Sequence, residues 1–301
     1  EKLLKWKQNN RRKPLIIEGA RQVGKTWLMK EFGRQAYADT VYINFDSNSR
    51  MAELFASDLD TERLIMGLEL YVGRKIDPDN ALLIFDEVQE VPRALSSLKY
   101  FYENAPQYHI VCAGSLLGIA LHQGTSFPVG KVDFLKLYPL SFKEYYKVSG
   151  LEKADALEEY LTYGGMPSAV LEQSESEKQK YLYDLHKNVY IKDIVERYNL
   201  KDDEVLDALI DSLYSAVGSL TNTHNLTNTA GSLMKRKTSD HTIKNYINYL
   251  EDAYLFLGAK RYDIKGKKYF DNTQKYYSID MGLRNAKLNF RQQEKSHLME
   301  N

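Results

Sequence analysis

An eight-residue segment near the start of the sequence has the residue types and spacing of a site for phosphate chemistry. Gly19–Thr26 reads G-A-R-Q-V-G-K-T and fits the phosphate-loop pattern G-x-x-x-x-G-K-[ST]. Gly19 and Gly24 permit backbone angles that other residues avoid, so several N–H groups can converge on phosphate oxygens. Lys25 is expected to reach the β- and γ-phosphates of a nucleotide. Thr26 is expected to give its hydroxyl to the Mg²⁺ that bridges them.

The segments on either side of this loop supply the elements that must position it. Pro14–Glu18 is an apolar run of strand length, and Trp27–Phe32 has helical spacing. A helix that starts at the loop points its positive end at the phosphates, which makes a chance glycine turn the weaker interpretation. The sequence predicts contacts to ATP from Gly19, Ala20, Arg21, Gln22, Val23, Gly24, Lys25, Thr26 and Trp27.

An acidic pair at the end of a second apolar run predicts the other half of an ATPase site. Ala81–Phe85 is followed by Asp86 and Glu87, and ligands of open parallel sheets bind at this carboxyl edge of the strands. Asp86 would hold Mg²⁺, and Glu87 would orient and deprotonate the attacking water. Kinases need no water-activating glutamate, so Glu87 favours hydrolysis over transfer. The plainer alternative is a strand that stops at a charged turn.

A third apolar run, Tyr108–Ala113, ends in Gly114 and Ser115. In such a sheet this strand is expected to lie between the phosphate-loop strand and the acidic strand. Ser115 would then reach the γ-phosphate or the attacking water. Gly-Ser is also ordinary turn chemistry, so both interpretations stay open.

Hydrolysis of this type usually needs a further positive charge to stabilise the transition state. Lys131, in the segment Phe127–Val132, is the first candidate for this catalytic role, and Arg93, Lys192 and Arg197 are the others. Each of them could equally be a solvated surface charge. The sequence does not decide among them, nor whether the charge comes from the same chain or from a neighbour.

Length and composition fit a globular protein of two or three units. The chain has 301 residues, of which 43% are apolar, enough for sizeable cores. No apolar stretch reaches the length of a membrane span and no secretion signal opens the chain, so we expect a cytoplasmic protein without membrane contact. The single cysteine, Cys112, lies in an apolar run, which argues against a disulfide framework.

The two halves of the sequence have different patterns. Up to about residue 140, strand and helix alternate as in a parallel sheet covered by helices. The expected strands are Leu15–Glu18, Val41–Phe45, Ala81–Phe85, Tyr108–Ala113 and Val132–Leu137. From Ser141 the sequence is helical. One long helix is expected over Lys178–Tyr198, and a polar loop over Ser219–Thr229 overlaps the start of a helix expected over Asn225–Met234. Net charge is zero overall, but residues 221–301 carry 14 basic and 8 acidic residues.

Several motifs together resemble one family, the prokaryotic AAA+-type predicted ATPases, relatives of the archaeal and signal-transduction ATPase groups. The resemblance runs through essentially the whole chain. The motifs are R-K-P-L-I-I-E-G-A-R-Q-V-G-K-T (Arg12–Thr26), L-L-I-F-D-E-V-Q-E-V-P (Leu82–Pro92), A-L-S-S-L-K-Y-F-Y-E-N-A-P (Ala94–Pro106), A-G-S-L-L-G (Ala113–Gly118), F-P-V-G-K-V (Phe127–Val132) and Y-G-G-M-P (Tyr163–Pro167).

The resemblance implies an α/β P-loop NTPase sheet of the additional-strand, catalytic-glutamate type, followed by a helical segment and a winged helix. The corresponding expected boundaries are 1–140 for the ATPase core, 141–200 for a helical lid or linker, 201–290 for the winged helix and 291–301 for the start of a truncated nuclease-like domain, which begins at about Ser296. Family members mostly have arginine where Lys131 stands, and lysine lacks the planar fork of arginine.

Local sequence also supports the winged helix. Asp240–Leu250 would be its third helix, with Ile243 and Ile247 facing inward, and Leu257–Ile264 and Lys275–Ile279 would form the wing. Basic and amide side chains at these places suit phosphate and base contacts of duplex DNA. The expected DNA contacts are His241, Lys244, Asn245, Lys267 and Lys268. Winged helices also dock proteins, so a protein partner remains an alternative.

Two functions follow from these observations. The first is a Mg²⁺-dependent ATPase whose nucleotide state is coupled to a winged-helix module that binds DNA. The second is a nucleotide-dependent switch or scaffold that hydrolyses ATP slowly or not at all and binds a protein partner or a second copy of itself. Both use ATP and Mg²⁺ at the loop Gly19–Thr26.

Overall fold

The computed structural model describes residues 1–114, 128, 130–200, 203–234, 238–260, 273–291 and 295–301. The chain divides by its internal contacts into two compact units. The first consists of Glu1–Gly19 and Gly24–Leu137, and the second of Ala20–Val23 and Tyr138–Asn301. No helix in these ranges is long and apolar enough to cross a membrane.

The first unit is built on a five-stranded parallel sheet. Its strands are β1 (Leu15–Gly19), β2 (Asp39–Asn44), β3 (Ala81–Asp86), β4 (His109–Ala113) and β5 (Asp133–Leu137). Their order across the sheet is β2-β3-β4-β1-β5, and every neighbouring pair is parallel. β4 therefore lies between the phosphate-loop strand and the acidic strand, as the sequence predicted, and the α/β prediction is confirmed.

Helices cover both faces of this sheet, which explains why its central strands are continuous apolar runs. One face packs against α1 (Lys2–Gln8) and α2 (Lys25–Ala36) through Trp6, Met29, Ile17 and Ile84. The other face packs against α3 (Ser49–Ala56), α4 (Thr61–Val72) and α5 (Pro92–Asn104) through Phe55, Leu68, Leu98 and Phe85. Because all strands are parallel, their carboxyl ends meet at one edge of the sheet. The loop after β1 lies there, as do Asp86 at the end of β3 and Glu87 after it.

The second unit begins with helices. α6 (Phe142–Ser149), α7 (Lys153–Tyr163) and α8 (Pro167–Leu171) are followed by one long helical stretch. This stretch comprises α9 (Glu175–Asp184), a π-helical segment (Leu185–Ile191) and α10 (Lys192–Arg197). The sequence predicted a single helix over Lys178–Tyr198, and the helix is present but contains a wide turn that the apolar spacing does not reveal.

The rest of the second unit combines helices with a small sheet. It contains α11 (Asp203–Ser215), β6 (Leu220–Thr221), α12 (Thr223–Met234), α13 (Asp240–Asp252), β7 (Phe256–Lys260), β8 (Gln274–Ser278), α14 (Met281–Lys287) and α15 (Lys295–Glu300). The sheet is antiparallel in the order β6-β8-β7. Leu298 of α15 packs against Leu161 and Met281 of the same unit.

The prediction of a polar loop over Ser219–Thr229 is wrong for most of that segment, because it contains β6 and the first half of α12. The helix predicted over Asn225–Met234 is present and begins two residues earlier, at Thr223. Threonine hydroxyls in the helix bond back to carbonyls one turn earlier, from Thr227 to Thr223 and from Thr229 to Asn225. Buried Leu226 and Ala230 anchor the helix to the unit. Tertiary packing thus overrides the low intrinsic helix propensity of the polar residues.

The Gly-Gly turn between α7 and α8 is explained by a buried carboxylate. Asp280 is 4% exposed and caps α14 by accepting the N–H of Leu283 at 3.1 Å, and it also accepts the N–H of Gly165 at 2.6 Å. A Cβ at Gly164 would lie 2.2 Å from Asp280 Oδ1. Only glycine therefore allows the turn to approach this carboxylate so closely.

Asp280 makes the stability of the second unit depend on pH. Burial raises the pKa of Asp280 from 3.8 to about 6, so the folded chain holds this proton over a pH range in which the unfolded chain has lost it. The protonated carboxyl of Asp280 therefore stabilises the folded chain fully below pH ~4. This stabilisation, about 3 kcal/mol, is lost as the pH rises through ~6.

The matched variant is Asp280→Asn, which keeps one acceptor oxygen but does not titrate. Between pH 4 and pH 7 we expect the unfolding free energy of the wild type, measured by urea titration, to fall relative to that of the variant. Other titrating groups cancel in this difference. Parallel pH profiles for the two proteins would show that Asp280 titrates normally.

Candidate functional site

The phosphate loop joins the end of β1 directly to the start of α2. Gly24, the residue before α2, has φ 88° in the left-handed region, which favours glycine. Gly19 has φ 148°, and a Cβ there would lie 2.0 Å from the carbonyl oxygen of Leu137 at the end of β5. The two positions of the motif thus require glycine for different reasons. Gly24 makes the turn into the helix, and Gly19 allows the close approach of a neighbouring strand.

Lys25 is held inside the loop. Its side chain is largely buried, and its Nζ donates a hydrogen bond of 2.9 Å to the carbonyl oxygen of Gly19. A phosphate oxygen is a stronger acceptor for an ammonium group than a neutral carbonyl. An anion entering the loop would therefore compete favourably with the Gly19 carbonyl for this ammonium group, and the contact of Lys25 with phosphates stays a prediction.

Thr26 and Asp86 form one hydrogen-bonded pair at the carboxyl edge of the sheet. Thr26 Oγ1 donates to Asp86 Oδ2 at 2.7 Å, and the backbone N–H of Glu87 donates to Asp86 Oδ1 at 3.2 Å. Asp86 is 4% exposed. Since the threonine hydroxyl uses its proton in the bond to the carboxylate, the lone pairs of its oxygen can bind a metal ion. The structure thus brings together the two residues predicted as metal ligands.

The chemistry of these donors fits Mg²⁺. Mg²⁺ prefers hard oxygen ligands and is usually held by one or two protein oxygens together with substrate phosphates and water. Thr26 Oγ1 and the Asp86 carboxylate supply such oxygens, with their relative position fixed by the hydrogen bond between them. These are the residues that would hold the ion.

Glu87 has an unusual backbone conformation. Its φ of 50° and ψ of 42° place it in the left-handed region, between β3 and a short 3₁₀ turn at Val88–Glu90. For a residue other than glycine this conformation costs about 1–3 kcal/mol and is frequent at active sites. Gln89 Nε2 donates to Glu87 Oε2 at 2.7 Å and so orients the carboxylate. This geometry suits the role of general base that the sequence predicts for Glu87.

Tyr42 is a part of this site that sequence reasoning missed. Its hydroxyl donates to Asp86 Oδ2 at 3.0 Å, the same oxygen that accepts from Thr26. Burial, followed by the charge of Asp86, raises the pKa of Tyr42, so the phenol keeps its proton and acts as a donor. Strand alternation on β2 could have indicated which face Tyr42 occupies, but not that β2 adjoins β3.

The middle of the loop, Ala20–Val23, belongs to the second unit. Within that unit Arg21 Nη2 lies 2.5 Å from Asp193 Oδ1, and Arg197 pairs with the same carboxylate. Tyr190 donates to the carbonyl oxygen of Arg21 at 3.1 Å. Arg197, a candidate for the transition-state charge, is thus engaged by Asp193.

Lys131, the first candidate for the catalytic positive charge, is not brought to the loop by this structure. Lys131 precedes β5 and therefore lies at the opposite, amino edge of the sheet, about 17 Å or more away by strand rise alone. There its Nζ lies 3.1 Å from Glu103 Oε1. A role of Lys131 at a neighbouring chain's site stays a prediction. Ser115 lies outside the described residues.

Three further candidates lie on helices. Trp27, predicted to contact nucleotide, is 69% exposed on the first turn of α2. Arg93 donates to the carbonyl oxygens of Phe55 and Ser57 at the end of α3. Lys192 Nζ lies 3.7 Å from Glu196 Oε1, one turn further along α10. The contact of Trp27 with nucleotide remains a prediction.

The predicted nucleic-acid contacts in the second unit are partly described. On α13, His241 and Lys244 are exposed and Asn245 is half-buried, whereas Ile243, Ile247 and Leu250 face inward. His241, Lys244 and the start of α12 line a cavity of about 340 Å³. Lys267 and Lys268 lie outside the described residues.

Comparison with known proteins places the two halves of the chain in two family models. Residues 11–146 match an AAA domain, and residues 154–294 match a domain of unknown function (DUF8612). An uncharacterised protein of Haemophilus influenzae is 31% identical over 283 residues, which take in 89% of this chain and 68% of that protein. One of Methanocaldococcus jannaschii is 26% identical, with 95% of this chain and 64% of that protein covered.

Solved structures of low sequence identity also align with the chain. The Holliday junction branch migration motor RuvB of Thermotoga maritima is 13% identical, with 89% and 90% of the two chains covered and a TM-score of 0.37. The Orc1 protein of Aeropyrum pernix, solved in complex with DNA, is 12% identical, with 95% and 89% covered and a TM-score of 0.32. At these scores the likeness says nothing about ligands of this chain.

Proposed function

Because the chain belongs to the AAA+ family of P-loop ATPases, we propose that it binds ATP with Mg²⁺ at Gly19–Thr26 and hydrolyses it. The observation that carries this proposal is the 2.7 Å hydrogen bond between Thr26 and Asp86. It links the phosphate loop to the acidic strand, which are 60 residues apart in sequence, and it holds two oxygen ligands suited to Mg²⁺ beside each other.

Each residue has a distinct task in this reaction. The ammonium of Lys25 leaves the carbonyl of Gly19 and binds phosphate oxygens, which lowers the charge repulsion that a nucleophile meets. Glu87 accepts a proton from the attacking water at a carboxylate oxygen, while Gln89 holds that carboxylate in place. Thr26 and Asp86 would hold Mg²⁺, which would supply positive charge to neutralise the charge that develops on the phosphates.

We further propose that the second unit couples nucleotide state to duplex DNA. The proposed winged helix is supported by the order of α11, β6, α12, α13 and the antiparallel pair β7–β8, and the exposed side chains of His241 and Lys244 on α13 suit contacts with DNA. The ion pair between Arg21 and Asp193 supports this proposal, because it connects the middle of the phosphate loop to α10 within the second unit. The cytoplasmic location remains a prediction.

ATP turnover with and without duplex DNA, at two salt concentrations, tests this coupling. We expect DNA to stimulate turnover severalfold and the stimulation to fade at higher salt, because phosphate contacts release counterions. Lys244→Ala should reduce the stimulation and leave basal turnover intact, whereas the control Lys180→Ala, at an exposed lysine of α9, should leave both the stimulation and basal turnover unchanged. Turnover indifferent to DNA would instead favour a switch that binds a protein partner.

A further inference from the structure

The position of Tyr42 beside Asp86 follows from the sheet. β2 and β3 are parallel neighbours, with Asn44 opposite Asp86 and Tyr42 opposite Ile84. Side chains two residues apart on a strand point to the same face, so Tyr42 and Asp86 share the face covered by α2. A tyrosine side chain is long enough to reach from its own position to the end of the adjacent strand.

Three donors fix the Asp86 carboxylate. Oδ2 accepts from Thr26 and from Tyr42 at 2.7 and 3.0 Å, and Oδ1 accepts from the backbone N–H of Glu87 at 3.2 Å. Under the proposed function, the hydroxyl of Thr26 would also have to bind a metal ion. The phenol of Tyr42 has no such second task and comes from a rigid strand of the sheet.

The ring of Tyr42 is itself held in place. Lys30, one turn beyond Thr26 on α2, places its Nζ 3.7 Å from the centroid of the ring. This is the geometry of a cation–π contact. The ring therefore lies between the sheet and a charged side chain of the helix that begins at the phosphate loop, and its hydroxyl is directed at the carboxylate.

We propose that Tyr42 is a positioning residue of the magnesium site, which acts by holding Asp86 in the orientation that binds the ion. This inference rests on the proposed function, since it assigns a task within the same site. Partners that orient a metal-binding side chain typically change metal affinity by about 10–100-fold when removed. Because Asp86 keeps two of its three donors, we expect the lower end of that range.

Tyr42→Phe tests this inference, since it removes the hydroxyl and keeps the ring under Lys30. We expect about tenfold more Mn²⁺ to be needed to saturate the nucleotide complex, measured by electron paramagnetic resonance of Mn²⁺. Nucleotide affinity in EDTA should stay within about twofold of wild type. The control Tyr108→Phe removes a phenol oxygen from a partly buried tyrosine at the edge of the same unit's core and should change neither quantity.

The outcomes separate three cases. Unchanged Mn²⁺ affinity in Tyr42→Phe, with wild type binding both metal and nucleotide, would overturn the positioning role alone. An equal loss of nucleotide affinity with and without metal would assign Tyr42 a purely structural role and also overturn it. A wild-type chain that binds neither ATP nor Mn²⁺ would remove the proposed function, and this inference with it.

Discussion

Replacement of Glu87 by glutamine is expected to lower ATP turnover by about 10²–10⁴-fold, the usual contribution of a general base. Glutamine has nearly the same shape but cannot accept a proton from water. The strained backbone at Glu87, with φ 50°, and its hydrogen bond from Gln89 should persist in the variant. Binding of ATP and Mg²⁺, measured by calorimetry, should therefore be retained.

The control is Glu53→Gln, which removes an exposed carboxylate on α3 of the same unit. It should turn over ATP at the wild-type rate. If Glu87→Gln also kept wild-type turnover, Glu87 would have no role as the base. If it lost nucleotide binding together with turnover, its role would lie in building the site and not in the chemistry.

Replacement of Lys25 is expected to weaken ATP binding by about 10–100-fold, because a charge-assisted hydrogen bond contributes roughly 1.5–3 kcal/mol. Lys25 is 8% exposed, so truncation also leaves a small cavity. Lys25→Met keeps most of the unbranched side chain, one heavy atom shorter, and removes the ammonium group. We expect Lys25→Ala and Lys25→Met to lose similar affinity in equilibrium binding of a fluorescent ATP analogue.

Lys99→Ala serves as the control for this pair, because Lys99 lies on α5 against the other face of the sheet. It should bind ATP as wild type does. Wild-type affinity in both Lys25 variants would contradict the assignment of Gly19–Thr26 as the phosphate loop. A loss in Lys25→Ala alone would trace the effect to packing.

Much of the first unit could be predicted because its signals are local. The strand, glycine loop and helix of Leu15–Ala36 are contiguous in sequence, and the buried strands β1, β3 and β4 are continuous apolar runs. Spacing also indicated the acidic pair, since a carboxylate at the end of a parallel strand lies at the ligand edge. The order of the strands required the resemblance of several motifs in addition to spacing.

The parts that escaped prediction depend on contacts distant in sequence. Tyr42 meets Asp86 only because β2 is the neighbour of β3, a pairing that no local pattern specifies. The polar start of α12 becomes helical because Leu226 and Ala230 are buried by the rest of the unit. Asp280 contacts Gly165 across 115 residues of sequence. The sequence therefore contains the pair Gly164 and Gly165 but no local sign of the carboxylate that requires them.

Single-turnover hydrolysis by the wild-type chain tests the central claim most directly. Radiolabelled ATP at a concentration below that of the protein would be followed to ADP and phosphate, with Mg²⁺ or with EDTA. The account predicts products that appear only with Mg²⁺, at a rate that Glu87→Gln slows by at least about 100-fold. ATP that stays bound and intact in the presence of Mg²⁺ would contradict it.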